Sequence, residues 1–464
     1  MEVSPLEASS GPGWASYRDG VERLLAQYGD IAPGSPVRLA KATSNLFRTR
    51  SPSPGPGLDV AAFDGVMEVD PLARTAQVQG MTTYEHLVDA TLAHGLMPLV
   101  VPQLKTITVG GALSGLGIES SSWRNGFPHE SVREIDVLTG DGRVVTARRD
   151  NEHRDLFAGF PNSYGTLGYA LRLELELEPA HPFVHVRHVP FSDVAILAAA
   201  LEEVCATGEH AGEEVAFVDG TLFSPGESYL TLGSWADEAP ATSDYTLTRI
   251  YYRSLRHLRE DWLTARGYLW RWDTDWFWCS RAFGVQKPAV RRLLGRRHLR
   301  SDVYWRAMAL EERYHFKRAL DRRRRLPDRE TVIQDVEVPV DRLGEFVTNF
   351  AREVPISPIW LCPLRQRDPA STWPLYRMDP GALYVNVGFW STVPEVPGEP
   401  THHNRWVEDE VDRLGGRKSL YSSAFYSEDR FWQLYNGPAY RVLKDRYDPD
   451  GRLLDLYAKC VQSR

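Results

Sequence analysis

From Tyr169 to Pro179 the chain alternates without a break. Leu171, Leu173, Leu175 and Leu177 take one side, and Arg172, Glu174, Glu176 and Glu178 the other. Strict period two predicts a half-buried strand, which Pro179 ends. Upstream the period changes: Val21, Leu24, Leu25 and Tyr28 recur at helical spacing before Gly29, so a helix is expected over 14–28. Residues 33–50 read as a short strand running into a loop, and 51–57, "SPSPGPG", as a Pro/Gly/Ser loop. "FDGVMEVDPLARTAQVQG" reads as two strands around a turn at Asp70-Pro71. "TTYEHLVDATLAHG" reads as a helix with a Thr82-x-x-Glu85 capping box and a stop at Gly95. "IDVLTGDGRVVTA" is a strand pair hinged at Asp141-Gly142. The order is strands, helix, strand, loop, strands, so the chain is expected to be α+β, with a first domain over 1–180. A second α+β domain over 181–464 has its clearest strands at "VIQDVEVPV" and "ALYVNVGFW". Its segment 249–325 is mostly helical in pattern.

One stretch has almost no side chain to contribute. Residues 110–126, a little after the apolar run Leu96–Pro102, hold five glycines and four serines. Glycines let a backbone approach a ligand and let N–H groups converge on an anion, and serine hydroxyls add donors. Two further small-residue loops, "KATSNLF" (41–47) and "NSYGTLGYA" (162–170), lie in the same domain. Three such loops suit an extended, phosphate-bearing ligand; the alternative is that each serves a tight turn. The spacing Gly111-x-x-x-Gly115-x-Gly117 does not fit a dinucleotide fingerprint, and no P-loop is present.

Composition narrows the class. The 464 residues are 42% hydrophobic and 25% charged, ordinary for a soluble globular protein. No run of 18 apolar residues occurs, and the N-terminus lacks the pattern of a signal peptide, so a cytoplasmic chain is expected. Four scattered cysteines show no metal-ligand spacing and read as reduced thiols. The net charge of −8 is uneven: residues 249–325 carry 21 Lys/Arg against 8 Asp/Glu. This block also holds Trp262, Trp270, Trp272, Trp276, Phe277 and Trp278, and arginine with tryptophan suits the surface of an anionic bilayer. The alternative is a solvated helical face over an aromatic core. The acidic chain has no nucleic-acid motif, so no nucleic-acid partner is expected.

"TVGGALSGLGIESSSWRNGF", "IDVLTGDGRVV" and "DLFAGFPNSYGTLGYALRLELEL" resemble the FAD-binding domain of the vanillyl-alcohol oxidase (PCMH-type) flavoproteins. "KATSNLFR", "GIESSS", "PIWLCPL" and the segment 420–451 are similar to the Δ24-sterol reductase-like branch, so the resemblance covers most of the chain. It implies FAD, NADPH and reduction of an isolated C=C bond in a lipid. Bacterial relatives in that branch reduce 10-methylene acyl chains of phospholipid to 10-methyl chains. That substrate is the first expectation here, with a methyltransferase acting upstream and the enzyme peripheral to the membrane. A sterol side chain is the second. An alcohol or sugar oxidase and a non-catalytic lipid-binding protein are further alternatives.

The resemblance also implies roles. Thr43, Ser44, Asn45 and Leu46 would form one pyrophosphate loop. Thr108, Val109, Gly110 and Gly111, with Ser114, Gly115 and Gly117, would form a second. Glu119, Ser120 and Ser121 would lie by the flavin or its ribityl chain, and Gly165, Thr166 and Gly168 would complete the site. The first loop has no histidine or cysteine, so the FAD is expected to be non-covalent; His129 is the only other point considered for a link. An isolated alkene needs a positioned acid. Glu119, Cys362, Tyr384 and Tyr421 are the candidates, with Tyr426 and Glu428 behind them; His402-His403 reads as a solvated loop.

Overall fold

The computed structural model describes residues 12–41, 47–48, 57–314 and 327–462. Thr43 to Leu46 lie outside them. The chain is α+β, built on two antiparallel sheets. The first contains β1 (Val66–Asp70), β2 (Thr75–Gln79), β3 (Leu96–Pro98), β4 (Val132–Leu138), β5 (Val144–Arg148) and β6 (Tyr169–Pro179), in the order β1-β2-β6-β4-β5 with β3 on the far end of β6. The period-two segment is thus the central strand. Leu173, Leu175 and Leu177 enter the core as expected. Its polar side is not all wet: Arg172 is buried under helix α1 (Pro12–Gly29), paired with Asp136 at 2.7 Å and with Glu134. Tyr17 of α1 donates to the same Asp136 at 2.8 Å.

Helix α2 (Tyr84–Leu92) begins one residue later than the expected capping box. Its cap is Thr83, whose hydroxyl accepts from the His86 N–H, whereas Thr82 bonds both backbone groups of Gly65. Local sequence shows two threonines in a row; the tertiary contact with Gly65 decides which one caps.

The second sheet follows from β7 (Phe183–Phe191). A small hairpin, β8 (Glu209–His210) with β9 (Glu213–Glu214), stands apart from it. The sheet continues with β10 (Phe217–Ser224), β11 (Glu227–Ala236), β12 (Glu260–Thr264), β13 (Arg329–Pro339), β14 (Ile359–Leu364), β15 (Tyr384–Pro394) and β16 (Arg417–Lys418). The order is β12-β7-β11-β10-β14-β15-β13-β16. One face is covered by α4 (Val194–Thr207), α5 (Leu343–Glu353) and α6 (His402–Arg413), which share a core with Val336, Leu361 and Val387. α4 is punctuated at both ends: Asp193 caps Ala195 and Ile196, and Gly208 leaves in a left-handed turn. The short α3 (Val109–Ser114) opens the glycine stretch.

The other face of this sheet looks toward the first unit across a large aromatic cluster. Here the expected membrane-facing tryptophans are corrected. Trp270, Trp272, Trp276 and Trp278 are all buried, and the described part of the segment is mostly helical, broken by the strand β12. Residues after 420 return to the first unit: Lys444 Nζ donates to the Thr166 carbonyl at 2.9 Å, and the Val37 N–H donates to the Arg452 carbonyl at 2.8 Å.

Candidate functional site

Three chain segments meet where the first unit faces the second sheet. The Tyr164 N–H donates to the Ser114 carbonyl, tying the third loop to the glycine stretch. Arg48 lies 4.8 Å over the Tyr164 ring and donates to the Leu420 carbonyl at 2.9 Å. Phe47 bridges to Ser422. In this junction the Ser163 and Ser422 hydroxyls and Arg48 Nε are buried with no hydrogen-bond partner among the described residues. Buried polar groups left open in this way mark a place for a polar ligand.

The glycines divide by purpose. A Cβ on Gly110 would sit 2.8 Å from the Gly80 carbonyl oxygen, and one on Gly115 would sit 2.9 Å from that of Gly111. Gly117 is held between Pro102 and Pro128 at 3.0 Å from each. These three are glycine because the protein itself is too close. Gly111 is exposed, and its Cβ would meet only the Thr108 hydroxyl, which caps α3. Gly165 and Gly168 have positive φ, which glycine alone takes without strain. Between them Thr166 donates to the Ser163 carbonyl at 2.7 Å. Val109 is core.

The serines expected to face a ligand are largely spent on the fold. Ser114 donates to the Gly110 carbonyl and Ser121 to the Leu99 carbonyl. Ser120 donates to Glu119 at 2.5 Å and meets the Tyr268 hydroxyl at 3.0 Å. Glu119 is fully buried. Gln103 donates to its Oε2, and Arg271 lies 3.4 Å from its Oε1. Burial raises its pKa while Arg271 opposes the rise. Arg271 in turn reaches Asp219 on β10 at 2.7 Å, and that carboxylate also accepts from Trp272 and Trp360. Glu119 therefore pins the glycine stretch to the second sheet. With its oxygens already engaged, it is a pillar rather than a free acid.

The other candidates separate as clearly. Cys362 is buried, and desolvation holds its thiol well above the usual range. Tyr384 points its hydroxyl at the Asp379 N–H, 3.3 Å away at the start of β15. Glu428 is exposed in the first turn of helix Glu428–Leu434. His129 has no hydrogen bond among the described residues and packs on Phe127 and Trp373, with burial lowering its pKa to about 3. That is a core histidine. His402 begins α6 as an ion-paired side chain rather than a loop residue, bridging Glu399 and Glu353.

Tyr421 is different. Its hydroxyl accepts from Trp390 Nε1 at 2.9 Å, and the Asp335 carboxyl is near enough to act on it electrostatically. Asp335 lies on β13 opposite Gly388, and Glu337 lies opposite Asn386. A Cβ on Gly388 would come within 2.5 Å of Asp335 Oδ1, so this glycine makes room for the carboxyl. Asn386 donates to the same oxygen at 3.3 Å, and Tyr376 donates to Glu337. Glu337 Oε1 and Asn386 Oδ1 have no hydrogen-bond partner among the described residues. Desolvation raises Asp335 to about 7 and Glu337 to about 8. Both can hold a proton near neutral pH. Asp335 and Tyr421 nevertheless keep some solvent access.

Apolar surface closes around this pair. Phe277 stacks on Trp390 with centroids 4.4 Å apart and meets Trp360 edge-on. Trp276 stacks on Phe47 at 5.3 Å, and Phe47 meets Tyr421 edge-on. Trp276 and Phe277 take positive φ values of 45° and 59°. Left-handed backbone at two bulky residues costs about 1–3 kcal/mol each and gathers at functional sites. Asp335, Glu337 and Asn386 escape sequence reading because the polar side of an alternating strand looks like a wet face. Among the described residues no group of side chains could hold a metal ion.

The glycine stretch lies inside a segment, residues 32–148, that matches the FAD binding domain family. The chain thus carries an FAD-binding domain of the PCMH type. The unpartnered donors of Ser163, Ser422 and Arg48 fit an oxygen-rich cofactor of that kind. The wider chain is similar to the human "Delta(24)-sterol reductase", 26% identical over 415 residues covering 86% of this chain and 76% of that one. It is also similar to the Arabidopsis thaliana enzyme of the same name, 25% identical over 456 residues covering 88% and 77%. "Cytokinin dehydrogenase 6" of Oryza sativa subsp. japonica is 31% identical over 213 residues, 38% of this chain and 40% of that one.

Proposed function

We propose that this chain is an FAD-dependent oxidoreductase of the Δ24-sterol reductase type that reduces an isolated C=C bond of a lipid at the expense of NADPH. The carrying observation is a buried carboxyl, Asp335, held by Asn386 in the space that Gly388 leaves open, with Tyr421, Trp390 and Phe277 around it. Residues 47–48, 108–117, 163–168 and 420–422 would hold FAD non-covalently, with Thr43–Leu46 completing the first loop. FAD, when bound, supplies hydride chemistry linking a nicotinamide to a substrate carbon. Saturating the alkene takes one hydride equivalent, ultimately from NADPH, and one proton; NADPH leaves as NADP+.

This chain's own residues account for the proton. Asp335 gives it to one alkene carbon as the double bond's electron pair forms the new C–H bond. Its pKa near the working pH suits a general acid. Asn386 holds the carboxyl in place. The other carbon becomes cation-like before it receives hydride, and the faces of Trp390 and Phe277 favour positive charge beside them. The box also excludes water that would compete for that carbon.

The printed names of the relatives support a sterol side chain as substrate. The sequence resemblance to bacterial acyl-chain reductases supports a 10-methylene acyl chain in phospholipid, whose formation needs a prior methyl-transfer step. The two are told apart by supplying each lipid to the reduced holoenzyme without oxygen. Mass spectrometry of the product should show a gain of two hydrogens in one lipid class. Oxygen consumption with an alcohol and no requirement for NADPH would overturn the reductase reading.

A further inference from the structure

With the tryptophans of the basic block buried, its charge needs another explanation. Residues 276–301 contain seven Lys/Arg and no Asp or Glu. Two of the seven are used internally: Arg291 is buried against Asp275 at 2.5 Å, and Arg300 pairs with Glu85 at 2.7 Å. Arg296 pairs at the surface with Asp244. Arg281 donates to the Ser357 carbonyl. Lys287, Arg292 and Arg297 are exposed and have no ion-pair partner among the described residues. Beside them, in helix Pro288–Leu294, Leu293 is 88% exposed, and Phe283 shows an open edge at 37%. Leu293 thus projects into water among these cations.

The same segment reaches the site. It starts at Trp276 and Phe277, which close the aromatic box, and arrives at the ledge four residues later. We propose that the ledge 281–298 docks the protein on an anionic phospholipid bilayer, with Lys287, Arg292 and Arg297 at the headgroups and Leu293 inserted at the acyl boundary. Charge complementarity carries this assignment: the ledge is cationic on a chain whose net charge is −8, and no acid interrupts it. A bilayer matches both the charge and the single protruding aliphatic residue. The surface is independent of the chemistry proposed above and could exist without it.

The test is co-sedimentation of the full-length holoprotein with vesicles of phosphatidylcholine alone or phosphatidylcholine with phosphatidylglycerol, over a salt series. Binding should require phosphatidylglycerol and weaken as salt rises. Each cation near such a surface contributes about fivefold to the partition coefficient, so Arg292→Gln with Arg297→Gln should lower it by about 25-fold. Leu293→Ser should weaken binding at constant charge. Both variants should keep the flavin spectrum and their rate on detergent-dispersed lipid. Wild-type protein that ignores phosphatidylglycerol, or variants that bind as well as wild type, would overturn the proposal. So would a concentration-dependent dimer that the Arg292→Gln/Arg297→Gln variant loses, because the ledge would then meet a second copy. Vesicle binding without NADPH-dependent reduction would leave the ledge standing and sink the reductase reading.

Discussion

Asp335 Oδ1 lies 2.5 Å from where a side chain on Gly388 would begin, so the carboxyl occupies space that its cross-strand neighbour leaves open. This relationship makes the acid's position testable from both strands. Asp335→Asn should lower the rate of lipid reduction by about 10²–10⁴-fold while flavin stays bound. Gly388→Val should do the same by displacing the carboxyl. Rates with Gly388→Val equal to wild type would remove Asp335 from the chemistry.

The pH dependence has a definite sign. The Asp335 pKa rises from an ordinary 3.8 to about 7 because burial disfavours its charge. The rate should be highest where the group is protonated and should fall as pH rises through about 7. Asp335→Asn should abolish that limb, and Glu337→Gln should retain it. Stability follows the same direction: the contribution of protonated Asp335 is complete below about pH 4 and is lost as pH rises through 7. Denaturant midpoints of wild type and Asp335→Asn should therefore diverge across that window, with wild type losing more.

The two neighbouring glycines of α3 should respond differently. Gly110→Ala forces a methyl onto the Gly80 carbonyl and should cost about 1–3 kcal/mol in denaturant unfolding. Gly111→Trp crowds only the Thr108 hydroxyl, a side-chain group on an exposed stretch, so it should disturb the fold less than a clash with backbone does and should empty the protein of flavin. Retained flavin in Gly111→Trp would displace that loop from the cofactor.

Arg271 holds two carboxylates from different parts of the chain, Glu119 and Asp219, in a buried cluster. Arg271→Met leaves both without their cation and should cost about 3–5 kcal/mol. His129, by contrast, makes only ring contacts. His129→Phe should keep its flavin spectrum, and acid precipitation of either protein should release the flavin into solution.

The framework was legible wherever local pattern decides it. The alternation of 169–179 marked the central strand, and the glycines of 110–126 marked a loop with little side chain of its own. What local pattern could not show was which groups meet across sheets. Asp335 and Glu337 looked like the wet side of an amphipathic strand because nothing in "VIQDVEVPV" reveals that a second unit covers it. Glu119 looked free for the same reason: its partners Gln103 and Arg271 come from elsewhere in the chain. The tryptophans of the basic block suggested an interface, yet Trp270, Trp272, Trp276 and Trp278 are buried in the aromatic core, while Lys287, Arg292 and Arg297 reach the surface.

Anaerobic titration of the purified, flavin-loaded protein tests the central claim most directly. NADPH should bleach the long-wavelength flavin band, and an unsaturated lipid added next should restore it while gaining two hydrogens. Flavin that stays oxidised with NADPH, or reduced flavin that no unsaturated lipid reoxidises, would contradict the account.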